Sequence, residues 1–168
     1  MAAQIDVNFI NPFVLSTIDV LLITTQLRPE RTGLGIKQKD ECCFGDISGI
    51  IGFAGDITGS LAISFPGQVA MKIIECMIGE KPESLNDQMV RDGVGEICNM
   101  IVGHAKGSIT NSLGLHYSLS LPSVICGENH HVSHSSKMFI IVIKFMIPDL
   151  GPFTVEVCFK QSNEPLKQ

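Results

Sequence analysis

At 168 residues, with 45% hydrophobic and 17% charged side chains, the chain has the size and balance of one globular domain with a packed core, which excludes disorder over most of its length. A formal net charge of −5, with no local cluster of Lys or Arg, excludes the electrostatic attraction that phosphate-backbone binding needs, so nucleic acid is not an expected partner. Cys42, Cys43, Cys76, Cys98, Cys126 and Cys158 show no CxxC spacing and two are adjacent, so the cysteines read as reduced and mostly buried.

The opening residues, Met1 to Asp6, offer no basic segment, and Asp6 and Asn8 interrupt any apolar run, so a secretory signal is not expected and a cytoplasmic location is. Nor does any run read as the roughly 20 apolar residues of a membrane helix, so no membrane partner is expected. From Val7 to Leu27 the apolar residues recur at helical spacing, with either Asn11-Pro12 or Asp6 starting the helix. Asp46 to Ala54 and Ile57 to Phe65 then alternate as strands, joined by Gly55-Asp56 as a tight hairpin, and Lys37 to Phe44 reads as a third, weaker strand. After Pro66-Gly67, the positions Val69, Ala70, Ile73, Ile74 and Met77 predict a short amphipathic helix stopped by Gly79. Ser84, with Asp87 as an imperfect capping-box partner, opens a long helical stretch to Leu113 that Gly114 stops. Tyr117 to Val124, Met138 to Ile147 and Phe153 to Phe159 read as strands, and a polar tail follows Lys160.

The order predicts one α/β (α+β) domain over residues 1–168: an antiparallel or mixed sheet with helices on one face, in two similar halves of a helix followed by strands.

Within the long helix, Asp92, Glu96, Asn99 and Gly103 sit at i, i+4, i+7 and i+11, which places them in one stripe roughly 60° wide. Val94, Ile97, Ile101 and Ala105 fall on the opposite side, so the stripe faces outward. An ordinary solvated face would not need Asn99 and Gly103, each of which costs roughly 0.5 to 1 kcal/mol against Ala or Lys at an exposed helical position. Gly93, Gly95 and Gly107 add to that cost. Close approach of another backbone is the natural compensation.

The run Asp92-Gly-Val-Gly-Glu96-Ile-Cys-Asn99-Met-Ile-Val-Gly103 resembles the Asp/Ser-x-x-x-Glu-x-x-Asn-x-x-x-Gly signature of the CheC, CheX and FliY phosphatases, matching at each defined position. The similarity extends through Ile47 to Phe65, the helix to Gly79, Leu121-Pro122-Ser123-Val124 and the last strands, and so covers most of the chain. CheC-like members carry a second copy on their first helix, whereas Phe9 to Thr24 has no Glu-x-x-Asn, which leaves one site per chain as in CheX.

The resemblance implies a CheC-like fold, a homodimer, and a phosphatase acting on the aspartyl phosphate of a CheY-like receiver domain in chemotaxis. It also implies that the receiver supplies its own Mg2+ and lysine, so that no cofactor or metal is expected on this chain. Glu96 and Asn99 are the implied catalytic pair, with Asp92 and Gly103 as accessory residues. Asn99 would position the attacking water and Glu96 would pair with the receiver's lysine. Asp92 would begin the motif or, if the helix breaks at Gly93 and Gly95, favour the helix dipole. Gly103 would serve packing within the fold, the preferred reading, or approach of a partner.

Three other signals are weighed against this site. Glu128-Asn-His130-His131-Val-Ser-His134 has imidazoles enough for a metal-sensing site, but a polar loop between strands is the simpler reading. The glycines from 45 to 59 lack Gly-Lys-Ser/Thr and are not a phosphate-binding loop. His104 lies roughly 100° off the stripe and is not placed for direct catalysis. An alternative of another class is a non-catalytic module that docks a receiver or flagellar switch component through the same helix face.

Overall fold

A computed structural model describes residues 7–38, 41–135 and 138–160. The opening residues, including Asp6 as a helix start, and the polar tail beyond Lys160 lie outside them. The elements run α1 (Val7–Thr25), β1 (Glu30–Ile36), β2 (Phe44–Gly55), β3 (Gly59–Phe65), α2 (Gly67–Ile78), α3 (Gln88–Leu113), β4 (Tyr117–Leu119), β5 (Ser123–His131), β6 (Phe139–Ile147) and β7 (Gly151–Phe159).

The strands form one seven-stranded sheet ordered β1-β6-β7-β3-β2-β4, with β5 also paired to β2. All of these strands pair antiparallel. Exchanging β1 with β5, β2 with β6 and β3 with β7 reverses this order without changing it, so the expected halves are related by a pseudo-two-fold axis through the central β3–β7 pair. Alternate residues along the strands point to the helices: Ile47, Ile51 and Phe53 of β2, Leu61, Ile63 and Phe65 of β3, Ile141, Ile143 and Phe145 of β6, and Phe153, Val155 and Val157 of β7 are all buried. Each fully buried aliphatic or aromatic side chain contributes roughly 1.5–3 kcal/mol, so this layer is the main source of stability.

Helices α1 and α3 lie against that layer as an antiparallel pair, since Asn8, Asn11, Pro12 and Leu15 from the start of α1 share a cleft with Ser108, Ser112 and Leu113 from the end of α3. Gly49 allows the contact between α3 and β2: a Cβ there would lie 3.0 Å from Cys98 Cβ and 3.2 Å from the Val94 carbonyl.

The structure departs from the sequence reading at several boundaries. Helix α1 begins at Val7, which puts Pro12 inside it rather than at its first turn. This helix is also long and apolar enough, by length and composition, to cross a membrane, contrary to expectation; half of it is buried, with Phe9, Ile10, Phe13 and Leu21 in the core. The first strand is Glu30–Ile36, which pairs with β6; of the expected strand from Lys37 to Phe44, residues 39–40 lie outside the described residues, and among the rest only Phe44 is in a strand, as the start of β2. Asp87, not Ser84, caps α3, its carboxylate accepting from the Met89 N–H at 3.2 Å. The Tyr117 to Val124 run is two strands, broken at Ser120 to Pro122. Gly79 and Gly114 do stop their helices, at φ 83° and 66°, where glycine carries no Cβ penalty.

Candidate functional site

Helix α3 is 26 residues long, or about 39 Å, and uninterrupted. Its back, including Val94, Ile97, Cys98, Ile101, Val102 and Ala105, is wholly buried, which fixes the helix in rotation as well as position. Asp92, Glu96, Asn99 and Gly103 are all exposed on the outward side. The structure therefore brings together all four residues of the stripe. Among the described residues, neither the Glu96 nor the Asn99 side chain has a hydrogen-bond or ion-pair partner within the chain, so both present their full donor and acceptor capacity to solvent.

The unbroken helix removes one account of Asp92. It lies beyond the first turn, where the dipole's field acts, and the helix does not break at Gly93 or Gly95. Its Oδ1 instead accepts from Gln88 Nε2 at 2.7 Å, one turn earlier, which leaves the other oxygen outward. Gln88 is a residue that the sequence reading missed; its i,i+4 spacing from Asp92 was the available signal.

The glycines of α3 separate into two kinds. A Cβ on Gly93 would lie 2.5 Å from Ile74 Cδ1, and one on Gly95 would lie 3.4 Å from Val124 Cγ2, so these two admit α2 and β5. A Cβ on Gly103 or Gly107 would meet nothing within 4 Å. Packing within the fold, the preferred expectation for Gly103, is thus overturned.

Two neighbours of the motif are chemically quiet. Burial pushes the Cys98 thiol up to about 12, so no thiolate is available behind Asn99. His104 is exposed and off the stripe, as its spacing predicts.

The histidine-rich segment does not converge. Glu128 to His131 belong to strand β5 rather than to a loop. His130 has both ring nitrogens engaged, Nδ1 with the Gly127 carbonyl at 2.6 Å and Nε2 with Ser48 Oγ at 2.7 Å. His131 packs edge-on against Phe44. His134 instead reaches Glu156, and among the described residues no group of three or more His, Cys, Asp or Glu side chains is arranged to hold a metal ion. The metal-sensing reading loses its site.

Glu156, on the sheet face away from the helices, is only 1% exposed, and its Oε2 accepts from both Lys37 Nζ and His134 Nε2 at 2.8 Å. Burial alone would raise this carboxyl, but hydrogen bonds from His134 and Lys37 and their charges hold it below the ordinary carboxylate value. His134 is in turn raised to about 9 by hydrogen bonds to Cys158 and Glu156. The sequence concealed this cluster, since Glu156 occupies a polar position of an alternating strand and reads as solvent-facing.

Comparison with known proteins gives a consistent set of relatives. Residues 47–146 match the family model described as chemotaxis phosphatase CheX. Over 98 residues the chain is 30% identical to the CheY-P phosphatase CheX of Thermotoga maritima, an alignment that covers 58% of this chain and 60% of that protein. The chain thus spans less than two thirds of the curated relative's length. A CheC-like superfamily protein from Shewanella sp. PV-4 is 35% identical, with a TM-score of 0.86 over 94% of this chain and 100% of the other. CheX from Vibrio vulnificus is 36% identical, with a TM-score of 0.85 over 90% and 99%. CheX from Borrelia burgdorferi, solved in complex with CheY, BeF3 and Mg2+, is 24% identical with a TM-score of 0.77 over 94% and 100%, a likeness of fold.

Proposed function

The chain belongs to the CheX family of chemotaxis phosphatases, and from that premise we propose that it hydrolyses the aspartyl phosphate of a CheY-like receiver domain through Asn99 and Glu96. The observation that carries this reading is the pairing of an exposed carboxylate and an exposed carboxamide, neither engaged within the chain, on one face of a helix whose back is fully buried. Such a pair is preorganised: docking need not break internal bonds to free it, and a rigid helix holds its spacing.

An aspartyl phosphate is a mixed anhydride, and its in-line hydrolysis needs positioning and charge stabilisation more than a protein nucleophile. The Asn99 carbonyl oxygen accepts a hydrogen bond from the attacking water, and its amide donates to a phosphoryl oxygen. The water oxygen bonds to phosphorus as the acyl oxygen leaves with its electron pair, which regenerates the aspartate carboxylate; both of the water's protons leave with the inorganic phosphate, as dihydrogen phosphate. Glu96 makes a charge-assisted contact with the receiver's lysine and sets the register of docking. Asp92, steadied by Gln88, and the open Gly103 belong to the same contact surface. Mg2+ is carried by the receiver, and this chain holds no cofactor of its own.

The same reading makes residues 1–168 a single domain acting in the cytoplasm. It also makes the protein a homodimer, for which the exposed apolar residues Leu34 and Ile36 on edge strand β1 offer a pairing surface. A monomer by light scattering at micromolar concentration overturns the dimer.

The decisive test uses stand-alone receivers from the same genome, radiolabelled with acetyl phosphate. Wild type accelerates loss of label from at least one of them, and Asn99→Ala removes roughly a hundredfold or more of that acceleration, the usual cost of deleting a group that acts in the transition state. Equal rates for the two proteins would sink the assignment. Complex formation with no acceleration by wild type would instead make the chain a docking module.

A further inference from the structure

Leu121 is 87% exposed, the most exposed of the large apolar side chains among the described residues, yet it does not sit on a loose loop. It occupies the break between β4 and β5, which is tied to β2 on both sides of Ser120. The Ser120 N–H donates to the Gly52 carbonyl at 2.9 Å, the Gly52 N–H donates to Ser120 Oγ at 3.0 Å, and that hydroxyl donates onward to the Leu121 carbonyl at 2.9 Å. The next residue, Pro122, packs on α3: a Cβ on Gly95 would lie 3.8 Å from Pro122 Cγ. Gly95 directly precedes Glu96. A fixed turn therefore holds a solvent-facing leucine beside the helix that carries the catalytic stripe.

We propose that Leu121 is a specificity-determining docking residue, which enters an apolar depression on the receiver beside the phosphorylated aspartate while Glu96 and Asn99 engage the phosphoryl centre. This inference rests on the receiver being the partner. Two observations favour an anchor over an incidental surface leucine. The turn is preorganised, so little conformational freedom is lost when the side chain is buried. Its attachment through Pro122 and Gly95 also makes it continuous with the proposed catalytic face, so that a body covering Glu96 is brought up to Leu121.

The area of one leucine, taken from almost full exposure to burial, corresponds to about a tenfold or larger change in affinity. Leu121→Asp is accordingly expected to raise KM for the phosphorylated receiver about tenfold or more, with kcat within about twofold of wild type. Leu121→Met should keep KM near wild type, because a flexible apolar side chain can fill the same depression. Phe44→Ser, an exposed apolar position at the opposite end of β2 from Gly52, should leave KM unchanged. A merely structural role predicts a lowered melting temperature and no selective KM effect.

The experiment measures kcat, KM and thermal midpoint for the four proteins on the radiolabelled receiver that wild type dephosphorylates. Unchanged KM in Leu121→Asp, or a fall in kcat alone, overturns this inference and leaves the phosphatase assignment standing. Absence of wild-type turnover on every receiver overturns the assignment and this inference with it.

Discussion

Gly103 is expensive where it stands. In the interior of a helix, glycine costs about 1 kcal/mol relative to alanine, and here no neighbouring atom would meet the missing methyl group. Gly103→Ala should therefore stabilise the fold by about 0.5–1 kcal/mol, seen as a raised thermal midpoint, while it raises KM for the receiver by placing a methyl group between the two surfaces. A variant that is stabilised without any kinetic change would place Gly103 outside the interface. In the sequence, Gly93, Gly95, Gly103 and Gly107 looked alike, four breaches of helix propensity in one segment. What divides them is whether another element lies over them, and that depends on where α2 and the β4–β5 turn pack. Composition and spacing exposed the anomaly; only tertiary contacts could sort it.

Helix α3 is the most readable element because its signal is repeated: the burial of Val94, Ile97, Ile101 and Ala105 and the exposure of every residue of the stripe follow from a 3.6-residue period. Its start is less legible because Ser84 and Asp87 stand three apart, as a capping box does, whereas Asp87 is itself the cap. Asp87→Ala should thus destabilise the protein by about 1 kcal/mol through loss of the bond to the Met89 N–H, and Ser84→Ala should cost much less. Urea denaturation of the two variants checks the pair, and equal losses would return the capping role to Ser84. Strand β1 was harder still. Its residues, Glu-Arg-Thr-Gly-Leu-Gly-Ile, carry little apolar alternation and are mostly exposed, so its identity as a strand comes from pairing with β6, more than a hundred residues away. The stop at Pro122 was hidden for the opposite reason: the flanking residues continue a strand-like pattern across it.

The whole molecule is a pseudo-symmetric frame put to asymmetric use. The two-fold that relates the halves makes α1 the counterpart of α3, yet the outward side of α1 presents Leu15, Asp19 and Ile23 rather than a carboxylate and a carboxamide. Only α3 carries the matching pair. On the other side of the sheet, the Glu156 cluster holds two crossing segments, the one after β1 through Lys37 and the one after β5 through His134. Its effect on stability has a defined sign. His134 is raised in the fold, so its contribution is complete below its ordinary value of 6.5 and is lost as pH rises through about 9. Glu156 is lowered, so its contribution is present above its ordinary value of 4.5 and is lost as pH falls below that. The thermal midpoint of wild type should therefore decline from neutral pH to above pH 9 more steeply than that of His134→Gln. Superimposable profiles would remove the cluster from the stability of the fold.

That shared carboxylate oxygen also bears on how the sequence can drift. Because Oε2 of Glu156 serves both Lys37 and His134, loss of the glutamate leaves the Lys37 charge without its counter-ion and His134 without its carboxylate partner in a nearly dry site, and loss of either cation weakens what holds the carboxylate there. Each single replacement thus passes through a poorer fold, whereas a joint exchange for apolar residues need not. The three positions, drawn from three distant parts of the chain, are therefore coupled in what each tolerates at the others.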